Sequence, residues 1–319
     1  MRPELFELPV IHLTIKSYGL MMVIGFLVTV TLIRRLSRSF TDDPQLITNA
    51  ALYSLIGGVI GARLFYVIHY FEQFQSEPFR VFAIWNGGLE LLGGVIVAIT
   101  VILSYLIYHK QPVRRYLDVL AVGLMVALAF GRIGCFLNGC CWGKPTDLPW
   151  AVRFPYGSLA YYSQINPDQG RNRQEPYLQL PQDYFSYIDE NGKGYLLPLN
   201  ELSEKQQMEV TKGQYRCLPV HPTQLYSSIS AAFVSFLLYL IWRRSEKNKE
   251  KRFAQPGSTF SMMFILYGIM RISMEFLRDD NPFEFDGLTI SQNIGISMIA
   301  AGLVFLTMFE LMKGKKLRS

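Results

Sequence analysis

Charge is scarce in this 319-residue chain: 18% of its residues are Asp, Glu, Lys or Arg, against about 25% in an average soluble protein. Cysteine is scarce too. Cys135, Cys140, Cys141 and Cys217 are the whole complement, which excludes a disulfide scaffold. No CxxC pair occurs, so a zinc site has weak support and no metal or organic cofactor is implied. Repeats and low-complexity tracts are lacking, and an apolar content of 50% excludes disorder. What the chain has is long apolar runs. The mean hydropathy of +0.19 averages these with one polar stretch. The runs are too long, and too nearly free of charge, for the amphipathic helices of a soluble globule.

Seven stretches have close to the 17–25 residues or so that a bilayer crossing requires: 18–33, 48–70, 87–108, 117–137, 222–242, 258–277 and 289–312. The first does not read as a cleaved signal peptide, because Glu4 and Glu7 precede it and no small-residue cleavage site follows. Lys and Arg crowd alternate links. Arg34, Arg35 and Arg38 follow the first stretch; Lys110, Arg114 and Arg115 follow the third. Six cations from Arg243 to Arg252 follow the fifth, and four more end the chain. The positive-inside rule therefore puts the N-terminus outside and the C-terminus in the cytoplasm. The net charge of +6 reads as topology, not as nucleic-acid binding. The expected fold is an all-α integral membrane protein with seven transmembrane helices. It divides into helices 1–4 (residues 1–138), an external segment (139–221) and helices 5–7 (222–319).

That external segment is polar, rich in Tyr, Gln, Asp and Asn, and too long for a simple connection. It is either a small head domain or a functional loop. Trp150, Phe154, Pro155, Tyr156, Tyr161 and Tyr162 either anchor at the lipid headgroups or pack within the segment.

Arg63, Arg132, Arg271 and Glu275 lie in or at the ends of apolar stretches. A charge facing lipid at a helix centre costs about 2.5–3.5 kcal/mol, so four of them suggest an enclosed polar site. With alternating spans they fall in the outer half of the bilayer. There they meet Tyr18, the Gly87–Gly94 stretch that follows Trp85-Asn86, His221 to Tyr226, and Ser291 to Asn293. Guanidinium forks match phosphate oxygens bidentately, and a phospholipid headgroup sits at that depth. Arg271 and Glu275, at i and i+4, equally suit a structural ion pair. The glycines suit close helix packing better than ligand approach. The cysteines read best as small packing residues with one incidental disulfide, since on the outer face Cys217 can pair with Cys140 or Cys141.

The run Phe130-Gly131-Arg132-Ile133-Gly134-Cys135-Phe136-Leu137-Asn138-Gly139, followed by Trp142-Gly143, resembles the signature of bacterial prolipoprotein diacylglyceryl transferases. Tyr18-Gly19-Leu20-Met21, Gly61-Ala62-Arg63, the paired glycines around Leu92, His221–Tyr226, and Tyr267-Gly268 running on to Arg271 and Glu275 resemble further family motifs, in family order. The resemblance implies a multi-pass enzyme of the bacterial inner membrane. Such enzymes move the diacylglyceryl group of phosphatidylglycerol to the lipobox cysteine in a prolipoprotein signal peptide, leaving glycerol 1-phosphate. Its partners are then that lipid, that precursor and the membrane, with no nucleic acid and no cofactor. The implied catalytic set is Arg132, Arg271, Glu275, Tyr18 and His221. The implied substrate-binding set is Arg132, Arg63, Asn138, Gly139, Gly143, Gln224, Tyr226 and Tyr267. Arg132 and Arg271 would face charge developing on the leaving phosphate, with Arg63 in a structural or supporting role.

The chain also departs from the family pattern. Leu92 stands where many members have a histidine, Cys135 at an asparagine-type position, and Cys140 and Ser227 where acids are frequent. The thiol's proton then goes to another group, Glu275 being preferred to His221, or the chain is a silent lipid-binding paralogue. A transporter for anions would show inverted repeats and broken spans, and neither is visible.

Overall fold

A bilayer leaves a backbone no water to bond, so each apolar run must satisfy its own N–H and C=O groups along a helix. The computed structural model describes residues 4–8, 13–41, 43, 45–75, 77–83, 87–190, 192–248, 254–285 and 287–316. Every apolar stretch is helical in it. Seven long helices run α1 (Ser17–Ser37), α2 (Gln45–His69), α3 (Leu91–Tyr108), α4 (Val113–Asn138), α7 (Thr223–Lys247), α8 (Ser258–Glu275) and α9 (Ile290–Lys316), with the short α5 (Leu159–Ile165) and α6 (Glu204–Thr211) between α4 and α7. Six of them, all but α8, are long and apolar enough to cross a membrane. The described residues also form three two-stranded antiparallel hairpins: β1 (Glu4–Leu8) with β2 (Leu13–Lys16), β3 (Phe185–Ile188) with β4 (Gly194–Leu196), and β5 (Phe283–Phe285) with β6 (Leu288–Thr289). The helix α3 starts later than its hydropathy suggests. Gly87 and Gly88 hold φ of +82° and +73°, which a right-handed helix cannot contain. Trp85 and Asn86 lie outside the described residues.

The helices fall into two compact units. In the first, Thr29–Gly123, small residues bring α2 and α3 together. A Cβ on Gly61 would stand 2.5 Å from the Val97 side chain and 2.8 Å from the Gly93 carbonyl oxygen; one on Gly93 would meet Phe65 at 2.3 Å. Such contacts let helix backbones approach where lipid supplies no hydrophobic driving force. Gly61 and Gly93 are therefore packing residues, whereas Gly87 and Gly88 are left-handed loop residues, and nothing lies within 4 Å of a Cβ added to Gly87.

The second unit is Met1–Val28 with Leu124–Ser319. Here Gly134 on α4 admits Tyr18 and Met21 of α1, and Gly268 on α8 meets the Gly295 carbonyl of α9. Ser228 on α7 donates to the Ala129 carbonyl of α4 at 2.9 Å. Residues 139–221 pack on themselves. Phe154, Ala160, Tyr161, Ile165, Leu178, Leu196, Cys217 and Val220 form one buried cluster, and Tyr184, Leu202 and Val210 a second. The two candidate roles of the aromatics divide between them: Phe154 and Tyr161 are core, whereas Trp150 is 57% exposed. All four cysteines are free. Cys217 sits in the first cluster with its thiol on Gln164 Oε1, so the disulfide to Cys140 or Cys141 is not formed.

Candidate active site

The end of α4 builds the centre of the polar cluster, and its geometry follows from one glycine. Gly139 is left-handed, with φ of +76°. Its N–H reaches the Phe136 carbonyl at 3.3 Å, and the Cys140 N–H reaches the Cys135 carbonyl at 3.1 Å. These are the paired bonds of a Schellman C-cap, which turns the chain back over the last helical turn. Cys140 and Cys141 are thereby folded towards Cys135, and the three Sγ atoms lie within 4.8 Å of one another. Cys141 is itself left-handed, at φ of +62°.

The start of α7 pins this turn. Thr223 Oγ1 donates to the Cys141 carbonyl, and Gln224 Nε2 to the Cys140 carbonyl, each at 2.7 Å. The next segment runs beside the link after α8: Lys144 N–H bonds the Leu277 carbonyl at 2.9 Å, and Gly143 bridges Arg278. Gly143 has no room for a side chain, because a Cβ there would stand 2.6 Å from His221. Its requirement is steric. Tyr226 accepts from Trp150 Nε1 at 2.6 Å, and its ring lies 6.1 Å from that of His221.

Two arginines flank the turn differently. Arg132 places Nη1 3.6 Å from Cys141 Sγ, while its buried Nε has no hydrogen-bond partner among the described residues. Trp142 Nε1, His221 Nδ1 and Gln224 Oε1 are buried and unpartnered in the same sense. Unpaired buried polar atoms are rare, so each of these is a candidate to bind a polar ligand. Arg271 is better satisfied. Its Nη1 lies 3.2 Å from Glu275 Oε2, and its Nη2 donates to Ser291 Oγ. Glu275, with a side chain 1% exposed, also accepts from Asn281 Nδ2 at 2.7 Å. The structure thus forms the ion pair that the i, i+4 spacing allows.

Tyr18 lies within electrostatic reach of Arg132 and the three cysteines, and Tyr267 within reach of Arg271. Asn138 is exposed and near Cys140. Arg63 belongs to the other unit and is fully occupied there. Its guanidinium donates to the carbonyls of Arg80, Val81, Gly87 and Gly88 at 2.5–2.9 Å and lies over the Tyr66 and Phe74 rings. Leu92, also in that unit, is 62% exposed.

Sequence reasoning missed Arg278, which looked like one cation in an acid-rich link. It is 5% exposed, bonds Asp280 bidentately at 2.8 and 2.6 Å, and adds positive charge beside Cys141. Thr223 and Asn281 were missed as well; no spacing signal singles them out. The Cys141 thiol is held well below the usual thiol range. Hydrogen bonds from Cys135 and Cys140 contribute most, against the opposing effect of burial, and Arg278 and Arg132 add to the effect. Cys217 is the opposite case, since burial pushes it up to about 11.

Multiple helices able to span a bilayer, with an enclosed polar cluster at the end of one of them, define a multi-pass membrane protein with an internal charged site. This chain belongs to the prolipoprotein diacylglyceryl transferase family, whose profile matches residues 3–308. Similar proteins include the phosphatidylglycerol–prolipoprotein diacylglyceryl transferases of Clostridium tetani, 29% identical over 95% of this chain and 96% of that protein, and of Burkholderia cenocepacia, 29% identical over 94% of each. That of Proteus mirabilis is 31% identical over 91% of this chain and 86% of its own.

Proposed function

We propose that this protein transfers the diacylglyceryl group of phosphatidylglycerol to the thiol of a prolipoprotein lipobox cysteine, releasing glycerol 1-phosphate. The observation that carries the reading at residue level is Arg132, a guanidinium with an unpartnered buried Nε beside other unsatisfied polar atoms. As the bond from glyceryl carbon to phosphate oxygen breaks, negative charge grows on the phosphate, and a fork already in place stabilises it without reorganisation. Arg271 adds a second cation, oriented by Glu275 and Ser291. Tyr18 and Tyr267 border the same cluster. Gln224 and Thr223 act by holding the Cys140–Cys141 turn, and Tyr226 by its bond to Trp150. Asn138 and Gly139 set the helix end. Arg63 serves the first unit's own loop.

The thiol must lose a proton to react. Glu275 is ion-paired with Arg271 through Oε2, which makes no hydrogen bond among the described residues, and accepts from Asn281 on Oε1, so that it serves to hold Arg271. His221, whose buried Nδ1 has neither hydrogen bond nor ion pair among the described residues, is the acceptor preferred here. In the membrane, α8 supplies the seventh span, residues 139–221 face outward, and the C-terminus is cytoplasmic, as the cation-rich links require in a bacterial inner membrane.

The decisive experiment mixes purified protein, phosphatidylglycerol vesicles and a lipobox peptide. The expected result is a peptide mass increase of one diacylglyceryl group with equimolar glycerol phosphate release, absent with a Cys→Ser peptide. Lipid binding without transfer would instead establish the silent paralogue that Leu92 suggests.

A further inference from the structure

The three thiols at the end of α4 are more than the fold needs. A Schellman turn requires glycine at position 139, and nothing in its bonding requires sulfur at 135, 140 or 141. Their Sγ atoms nevertheless converge within 4.8 Å, all on half-buried residues reachable from outside the protein. Tetrahedral zinc holds thiolates at about 2.3 Å, which spaces the sulfurs by about 3.8 Å. Side-chain rotation of about 1 Å closes that difference. Three protein ligands and one open position are the arrangement of a reactive zinc site, whereas a structural site is closed by four.

Charge fits as well. Three thiolates around a divalent cation leave a net charge of −1, and Arg132, 3.6 Å from Cys141 Sγ, and the buried Arg278 provide positive compensation. Donors at Thr223 and Gln224 fix the carbonyls of the two ligating residues in the turn, as supporting bonds do around metal ligands.

We propose that Cys135, Cys140 and Cys141 bind one soft divalent cation of the zinc class, and that the open fourth position takes the lipobox thiol. The second half of this rests on the proposed transferase function; the first does not. On entering the fourth position the substrate thiol releases its proton to water, which takes over the part assigned above to His221, because a metal-bound thiol is deprotonated near neutrality. The resulting thiolate sulfur forms the C–S bond to the glyceryl carbon. The C–O bond to phosphate breaks, and its electron pair leaves on the phosphate oxygen. No oxidant or reductant is needed.

The test uses full-length protein in detergent with a phosphine reductant, titrated with Co²⁺ and then Zn²⁺. One equivalent of Co²⁺ should give thiolate charge-transfer absorption and the d–d bands of a tetrahedral site, and Zn²⁺ should abolish both. Cys135→Ser, Cys140→Ser and Cys141→Ser should each weaken binding by at least about tenfold. Cys217→Ser should leave it unchanged. A lipobox peptide, added without phosphatidylglycerol, should strengthen the charge-transfer band, and its Ser analogue should not. Absence of the bands, their survival in the triple Ser variant, or a disulfide between any two of the three thiols in protein taken from membranes would overturn the metal site. An unchanged spectrum on adding peptide, or full transfer by chelator-treated protein, would overturn the coupling and leave the transferase reading standing. Metal and peptide bound without transfer to lipid-supplied peptide would sink that reading and leave the metal site.

Discussion

Arg132 and Arg63 are the same residue type in similar apolar surroundings, and their partners separate them. Arg63 spends its donors on four backbone carbonyls, so Arg63→Ala leaves those carbonyls unpaired. The expected cost is ~3 kcal/mol, read as a lower unfolding midpoint in detergent, with transfer by the folded fraction retained. Arg132 makes one long contact to sulfur and has donors to spare. Arg132→Lys keeps the charge and loses the fork. Transfer should fall about a hundredfold with an unchanged unfolding midpoint, and near-normal rates would place the phosphate elsewhere. The cysteines give a second residue-level contrast. A lowered thiol remains thiolate as pH falls, so Cys141 in chelator-treated protein should react with iodoacetamide at about pH 6, well under the ordinary thiol value of about 8.5. Cys217, buried and raised to about 11, should react only after unfolding. Peptide mass spectrometry of the alkylated protein decides both.

Helix ends and helix contacts in this protein depend on glycine in different ways. Gly139 supplies a left-handed φ that turns the chain after α4, and Gly61 supplies space between α2 and α3. Gly61→Val drives a branched side chain into Val97 and the Gly93 carbonyl, atoms that cannot both retreat. A loss of about 1–3 kcal/mol is expected, visible as a lower midpoint and poorer yield. Gly19→Ala is the control, since nothing lies within 4 Å of its added Cβ. Its midpoint should not fall. The helix α8 is the element that composition describes least well, because Arg271 and Glu275 dilute its hydropathy while serving the site.

For the molecule as a whole, the cation-rich links set the expected orientation. A reporter fused after Ser319 should be cytoplasmic, and one inserted after Gly192, in the turn between β3 and β4, should be external. Protection of the Gly192 site from outside reagents would reverse the arrangement and detach the polar cluster from the outer leaflet. The helices themselves were legible in the sequence because an apolar run in lipid has one way to satisfy its backbone, and that requirement is local. The Arg271–Glu275 pair was legible for the same reason, being one helical turn apart. Family motifs supplied the class of chemistry. Long-range folding decided the rest. It consumed Arg63 in its own loop, and it pinned the cysteine turn that the local cap at Gly139 had closed, through Thr223 and Gln224 and beside Arg278. Sequence spacing describes which residues share a helix face; which donor finds which acceptor depends on segments more than a hundred positions apart, such as those of Gly143 and Arg278, meeting only when the chain has folded.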